Sequence, residues 1–168
     1  MAPILSVTAE EVWRELPQWQ DKSASVFLDD FPVSQSQWRD DSLFETFKNF
    51  LKVREDIAKG LEIARQQKLL GQSLEAKVMI KSDPALKKVL QPFEQDLPFF
   101  LIVSQVEWVE SEPKGLVVHV GESEFKTNVA IARAEYEKCQ RCWNYRQDVG
   151  VSSKFSDVCG RCASVLEK

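Results

Sequence analysis

Cysteine is absent from the first 138 residues of this 168-residue chain, histidine occurs once, and glycine occurs only six times. No run of 18 apolar residues exists, so no segment reads as a membrane span. There is no Gly-rich phosphate loop and no GxSxG elbow. One histidine and a single block of cysteines leave no Ser–His–Asp or Cys–His grouping to assemble. His119 itself sits in Leu116-Val-Val-His-Val120 and reads as a strand residue. The acidic pairs Glu10-Glu11, Asp29-Asp30 and Asp40-Asp41 read as caps and surface charge. On these residues the chain is a binding module or part of a larger enzyme, not an independent catalyst.

What is present is concentrated at the C-terminus. The only cysteines form two pairs, Cys139-Gln-Arg-Cys142 and Cys159-Gly-Arg-Cys162, with sixteen residues between them. Two residues between cysteines let one short turn aim both sulfurs at one ion, and two such turns complete a tetrahedron. The spacing is that of a four-thiolate Zn²⁺ site, structural because no position is left for a catalytic water. Gly160 inside the second pair reads as a turn residue at positive φ. Disulfides would require an oxidising compartment, and no signal peptide is seen, so the expected location is cytoplasmic or an organellar interior such as the chloroplast stroma.

Charge follows the cysteines. The chain carries a net charge of −4, yet residues 138–168 hold six Lys/Arg against three Asp/Glu. Zinc and four thiolates together add −2, which leaves that segment near +1, a weak attraction for nucleic acid.

Periodicity divides the rest. Thr8-Ala-Glu-Glu11 reads as a capping box opening a short helix through Leu16, closed by Pro17. Residues 18–38 read as irregular backbone anchored by Val26-Phe-Leu28 and Phe31. Leu43, Phe47, Phe50, Ile57, Leu61 and Ala64 recur at helical spacing over 40–70, with Gly71 as the stop. Arg54 falls within this stripe, either as a core-edge arginine paired with a carboxylate or as a phosphate contact. Leu74, Ala76, Val78 and Ile80 alternate as a strand, Ser82-Asp83-Pro84 starts a helix to about Gln91, and strands follow near 99–106, 115–120 and 125–133. Pro98-Phe-Phe-Leu-Ile-Val103 reads as a buried strand. The expected class is α+β: a partial helical bundle over 1–71, a small, mainly antiparallel β region with one helix over 72–136, and a C-terminal four-cysteine zinc finger over 137–168.

Lys138-Cys-Gln-Arg-Cys-Trp143, Val149-Gly150 and Cys159-Gly-Arg-Cys162 resemble the C-terminal zinc finger of bacterial-type isoleucyl-tRNA synthetases. A related finger ends the DNA glycosylases of the formamidopyrimidine type. The rest of the chain separates the two. The segment Ala2-Pro-Ile-Leu-Ser-Val-Thr-Ala-Glu-Glu-Val-Trp13 resembles the anticodon-binding helical domain of class I synthetases, and Val26-Phe-Leu28 with Phe31-Pro32 the segment following it. Leu61-Glu-Ile-Ala-Arg65 and Leu70-Gly-Gln-Ser-Leu-Glu-Ala76 resemble the isoleucine branch's link into its C-terminal β region. A glycosylase would need an N-terminal catalytic proline segment, and Met1-Ala-Pro-Ile4 offers only Pro3 in a helical entry.

The resemblance implies ATP-dependent ligation of isoleucine to tRNA(Ile), with ATP bound only in the full enzyme. HIGH-like and KMSKS-like signatures and an editing domain are all missing, so this chain alone is expected to be non-catalytic. The implied partners are tRNA(Ile) and the remainder of the synthetase, not DNA or a membrane. An absent preceding segment would leave apolar surface exposed on the first helices. The implied tRNA contacts are Arg141, Trp143, Tyr145 and Arg161 around the cysteine pairs, together with Arg54. Trp143 could instead plug the finger. A free-standing zinc-finger module for nucleic acid or protein is the competing reading.

Overall fold

The computed structural model describes residues 1–167, which divide into two compact units, one over 1–40 and the other from Asp41 onward. In the first unit, α1 (Ser6–Glu15) is followed by irregular chain with two 3-10 turns, Val26–Leu28 and Ser36–Trp38. The expected capping box does not form. Leu5 is the N-cap without a side-chain bond, because a turn in which Ile4 and Leu5 donate to the Met1 carbonyl already leads into the helix. Glu10 is used differently: its Oε2 accepts from Ser25 Oγ (2.8 Å) and from the Val26 amide (3.1 Å). The Ser25 hydroxyl is the main reason the Glu10 carboxyl lies below the usual range. Trp13 meets Trp19 edge-on at 5.3 Å and donates Nε1–H to the Ser23 carbonyl.

Phe27, Leu28 and Phe31 are exposed rather than anchoring, and Ala9 is the buried residue of this unit. A forty-residue segment with one buried side chain cannot bury enough apolar surface to offset its ordering entropy.

The second unit is built on α2 (Asp41–Gln66) and a four-stranded sheet. Phe50, Val53, Ile57, Gly60, Leu61 and Ala64 form one buried stripe at helical spacing, while Leu43 at the N-terminal end of the expected stripe is exposed. The helix ends before Gly71. Leu69 N–H donates to Ala64 and Lys68 N–H to Arg65, with Lys68 in the left-handed region at φ 59°. That is a Schellman closure with lysine where glycine is usual. Lys68→Gly is therefore expected to raise stability by about 1 kcal/mol, read from the urea midpoint.

The strands are β1 (Ala76–Lys81), β2 (Gln105–Val109), β3 (Val117–Val120) and β4 (Asn128–Arg133), in the order β2-β1-β4-β3. β1 runs parallel to β2 and antiparallel to β4, which is antiparallel to β3. A parallel pair needs a long crossover, and α3 (Pro84–Leu90) and α4 (Leu97–Leu101) lie within it. Asp83 caps α3 as expected, accepting from the amides of Ala85 and Leu86.

The run Pro98–Val103 is where expectation and structure part. Residues 97–101 are helix, Pro98 opens its first turn, and Ile102 at φ 57° ends it. An all-apolar run carries no period of its own, so its state is decided by packing. Here Leu97 and Leu101 are buried, and Phe100 joins Phe47, Phe50 and Phe93 in a cluster with centroids 4.4–6.3 Å apart, edge-to-face except for the tilted Phe50–Phe93 pair. α2 and the sheet thus share one core, with residues from both sides of position 71 in it.

One buried charge ties the two layers. Asp56 on α2 is only 2% exposed, and its oxygens accept from the Ser123 amide (3.1 Å) and the Ser123 hydroxyl beyond β3. Burial pushes its carboxyl upward, but the hydrogen bonds it accepts, those of Ser123 foremost, together outweigh that and hold it below the usual range. Gly121 passes so close that an added Cβ would lie 2.0 Å from Asp56 Cγ. His119 sits on β3 with Nε2 buried and unpartnered, its Cβ 3.3 Å from where a Gly60 side chain would start, consistent with a strand residue packed on the helix.

Candidate metal centre

The finger follows the sheet. A two-strand hairpin of β5 (Glu137–Lys138) and β6 (Tyr145–Arg146) carries the first cysteine pair in its turn. The second pair lies at the entry of α5 (Gly160–Leu166). A bridge between Val149 and Cys159 brings the turns together. Ser104 joins the finger to the sheet: its hydroxyl accepts from the Tyr145 amide (2.8 Å) and donates to the Leu74 carbonyl.

All four Sγ atoms lie within 4.8 Å of one another, with Cys142 and Cys159 at 3.8 Å. A tetrahedron with Zn–S bonds of about 2.3 Å has edges of about 3.8 Å, so the donor set fits zinc. The sulfurs are too far apart for a disulfide, which needs about 2.05 Å. Cys139, Cys159 and Cys162 are buried and Cys142 half-buried. Burial raises the Cys139 thiol, but the amides of Cys142, Cys159 and Arg141 overcome it and bring it down to about 6. At Cys159 burial prevails and pushes the thiol up to about 12. In the zinc-loaded site the metal would take the place of these thiol protons.

The surrounding residues are placed as follows. Gly160 is not at positive φ; it is the first residue of α5, donating its amide to Asp148 Oδ2 (3.1 Å). Asp148 is held in turn by Arg146 Nε at 2.9 Å. The left-handed positions of the finger are Trp143 (φ 63°) and Gly150 (φ 81°). Trp143 is 54% exposed, so the plug of this small unit is Val158 and Ala163, with Phe155 packed alongside. The Lys138 ammonium stands 5.7 Å from the centre of the Trp143 ring. Arg141 is exposed, with Nη1 turned to Cys162 Sγ at 3.7 Å. Tyr145 is half-buried at the junction with the sheet, and Arg161 is exposed on α5.

Arg54 lies apart from these in sequence, on α2, and donates Nε–H to the Phe100 carbonyl (3.0 Å). Its partner is thus a backbone carbonyl rather than the carboxylate expected from sequence. Sequence reasoning did not single out Lys138, Asp148 or Ser104. Lys138 was legible as a basic neighbour of the first pair, whereas the other two act through contacts that no local spacing encodes.

Residues 137–165 match the family model described as the zinc finger found in FPG and IleRS. Residues 1–80 match the anticodon-binding domain of tRNA ligase. The chain is 40% identical over 167 residues to the isoleucine–tRNA ligase of Syntrophotalea carbinolica, covering 99% of this chain and 18% of that protein. It is 37% identical to that of Geobacter sulfurreducens, with the same coverage. The corresponding ligase of Natranaerobius thermophilus is 40% identical over 171 residues. The chain belongs to the isoleucine–tRNA ligase family as its C-terminal part. It spans about 18% of the length of these curated relatives. Family and donor set together make the four-cysteine centre a structural zinc site. Among the described residues no helix is long and apolar enough to cross a membrane.

Proposed function

We propose that this region binds the anticodon stem-loop of tRNA(Ile) and supports ATP-dependent charging by catalytic domains that lie elsewhere in the synthetase, in the cytoplasm or an organellar interior. Trp143 carries the reading. Its ring is exposed at the knuckle, its backbone is held at φ 63°, and a lysine lies over it. RNA loops are read by stacking unstacked bases on such rings, with arginines at base edges and phosphates. Arg141 lies two residues before the ring within the first cysteine pair, Arg161 lies within the second pair, Tyr145 follows on β6, and the N–H groups of Arg54 other than Nε–H are assigned to the stem phosphates.

Trp143→Ala is expected to weaken binding of the isolated tRNA(Ile) anticodon stem-loop by about 1–3 kcal/mol, the worth of one stacked base, at unchanged zinc content. Filter binding against bulk tRNA and duplex DNA reads this. Equal affinity for all three, unaltered by the substitution, would support a general zinc-finger module instead.

The first unit bears on the second partner, the rest of the synthetase. Ile4 is 86% exposed and Trp38 77%, and an apolar cavity of about 410 Å³ is lined by Val12, Trp13, Leu16, Phe27 and Phe31 among others. Apolar surface of this extent marks a docking face. The 168-residue chain is expected to self-associate or bind a hydrophobic dye through residues 1–40. A stable monomer by light scattering, with no dye binding, would count against that assignment.

A further inference from the structure

We propose that Arg141 is a positioning residue of the metal centre, donating a hydrogen bond to the Cys162 thiolate and offsetting part of the charge that four sulfurs gather around one zinc ion. The observation is the 3.7 Å contact between Arg141 Nη1 and Cys162 Sγ, a bond that joins the first cysteine turn to the second across 21 residues. Cys162 is 1% exposed, so its sulfur has little water to solvate it. The sulfur of Cys139 is served by backbone amides, among them that of Cys159 at 3.3 Å. Cys162 is served by a full cation.

The chemistry follows from charge. Zinc with four thiolates carries −2, and a buried anion of that size is costly unless paired and hydrogen-bonded. A charged guanidinium donor stabilises an anion more than a neutral donor does. It also withdraws electron density from the sulfur it touches, which lowers the nucleophilicity of the Cys162 thiolate. Lysine cannot reproduce this arrangement, because its ammonium is a point charge without the planar fork. The other guanidinium N–H groups remain on an exposed side chain, so the sulfur contact also fixes the direction in which Arg141 faces outward.

The test uses the whole zinc-loaded chain with Arg141→Gln and Arg141→Lys. Zinc affinity is measured by competition with a colorimetric chelator. Mass spectrometry then follows the rates at which the four cysteines are alkylated by iodoacetamide. Arg141→Gln is expected to bind zinc about tenfold more weakly and to speed alkylation of Cys162 relative to the other three cysteines, with Arg141→Lys between. Zinc stoichiometry at saturating metal and the helical circular dichroism signal establish that each variant is folded. Zinc affinity within about twofold of the parent and an unchanged relative rate of alkylation at Cys162 would overturn the assignment. Equal acceleration at all four cysteines would also overturn it, since that is what a merely loosened finger shows. The RNA reading is separable: weaker stem-loop binding at unaltered zinc affinity retains that reading and removes this one, and the opposite pattern does the reverse.

Discussion

Excess chelator is expected to unfold residues 137–167 while the sheet and α2 stay folded. The finger's own core consists of the four cysteines, Val158 and Ala163, with Val149 and Phe155 packed alongside. At roughly 25 cal/mol per Å² of buried apolar surface, two small side chains offset little of the entropy of ordering some thirty residues. Binding of a structural Zn²⁺ in small fingers is worth roughly 10–16 kcal/mol at neutral pH, and this binding energy is folding energy. The sheet depends on none of it, because its core of α2, α3, α4 and four strands is complete without the finger. In an NMR spectrum, the amides of Cys139 to Cys162 should collapse to unfolded positions, while those of Val78, Ile80, Val129 and Ile131 keep theirs. Loss should stop at Ser104, on the sheet side of its bond from the Tyr145 amide. A finger whose dispersed signals survive metal removal would show that the metal is not its main source of order. Cys159→Ser is expected to have the same effect without chelator, since three ligands cannot close the site.

Gly121→Ala is expected to destabilise the second unit by about 3 kcal/mol or more, which is exceptional for one methyl group. The new Cβ would fall 2.0 Å from Asp56 Cγ and 2.4 Å from Asp56 Cβ. The latter atom is fixed to the α2 backbone, so no side-chain rotation relieves the clash. Either the helix or the turn after β3 must move, and both are packed in the core. The partner substitution isolates the polar part. Asp56→Ala removes the acceptor and leaves the half-buried Ser123 donors without it, at an expected cost of about 1 kcal/mol. In the double variant, alanine at 56 makes room for alanine at 121, so the two costs should be clearly less than additive. Additive costs would mean that the close approach is not what Gly121 provides.

The same carboxylate sets a pH dependence. Its folded value is below the unfolded one, so its contribution is fully present above about pH 4 and is lost as pH falls through the lower folded value. Urea midpoints of the parent should drop over that window, and those of Asp56→Asn should drop less.

Several features were open to reading from residue order because their causes are local. Alternation of Ala76, Val78 and Ile80 needs only a pleat with one buried face, and all three are buried. Asp83 before Pro84 caps a helix through its own two nearest amides. Two Cys-x-x-Cys turns can each present paired sulfurs wherever they lie, so the metal centre was legible before any fold.

The remainder depends on partners distant in the chain. Residues 97–101 became helix rather than strand because the cluster of Phe47, Phe50 and Phe93 offered Phe100 a place that only a helical turn reaches. Helix α2 ended at Gln66, with Lys68 rather than Gly71 as its left-handed stop, because the orphan carbonyls of Ala64 and Arg65 were closed by the amides of Leu69 and Lys68. The contacts of Asp56 with Ser123 and of Arg141 with Cys162 span 67 and 21 residues, and neither has a spacing that could announce it. Residue order by itself determined which atoms bind the metal and which faces of the strands are apolar. Tertiary structure alone decided which polar side chains are buried against which donors, because desolvation and pairing act on neighbours in space.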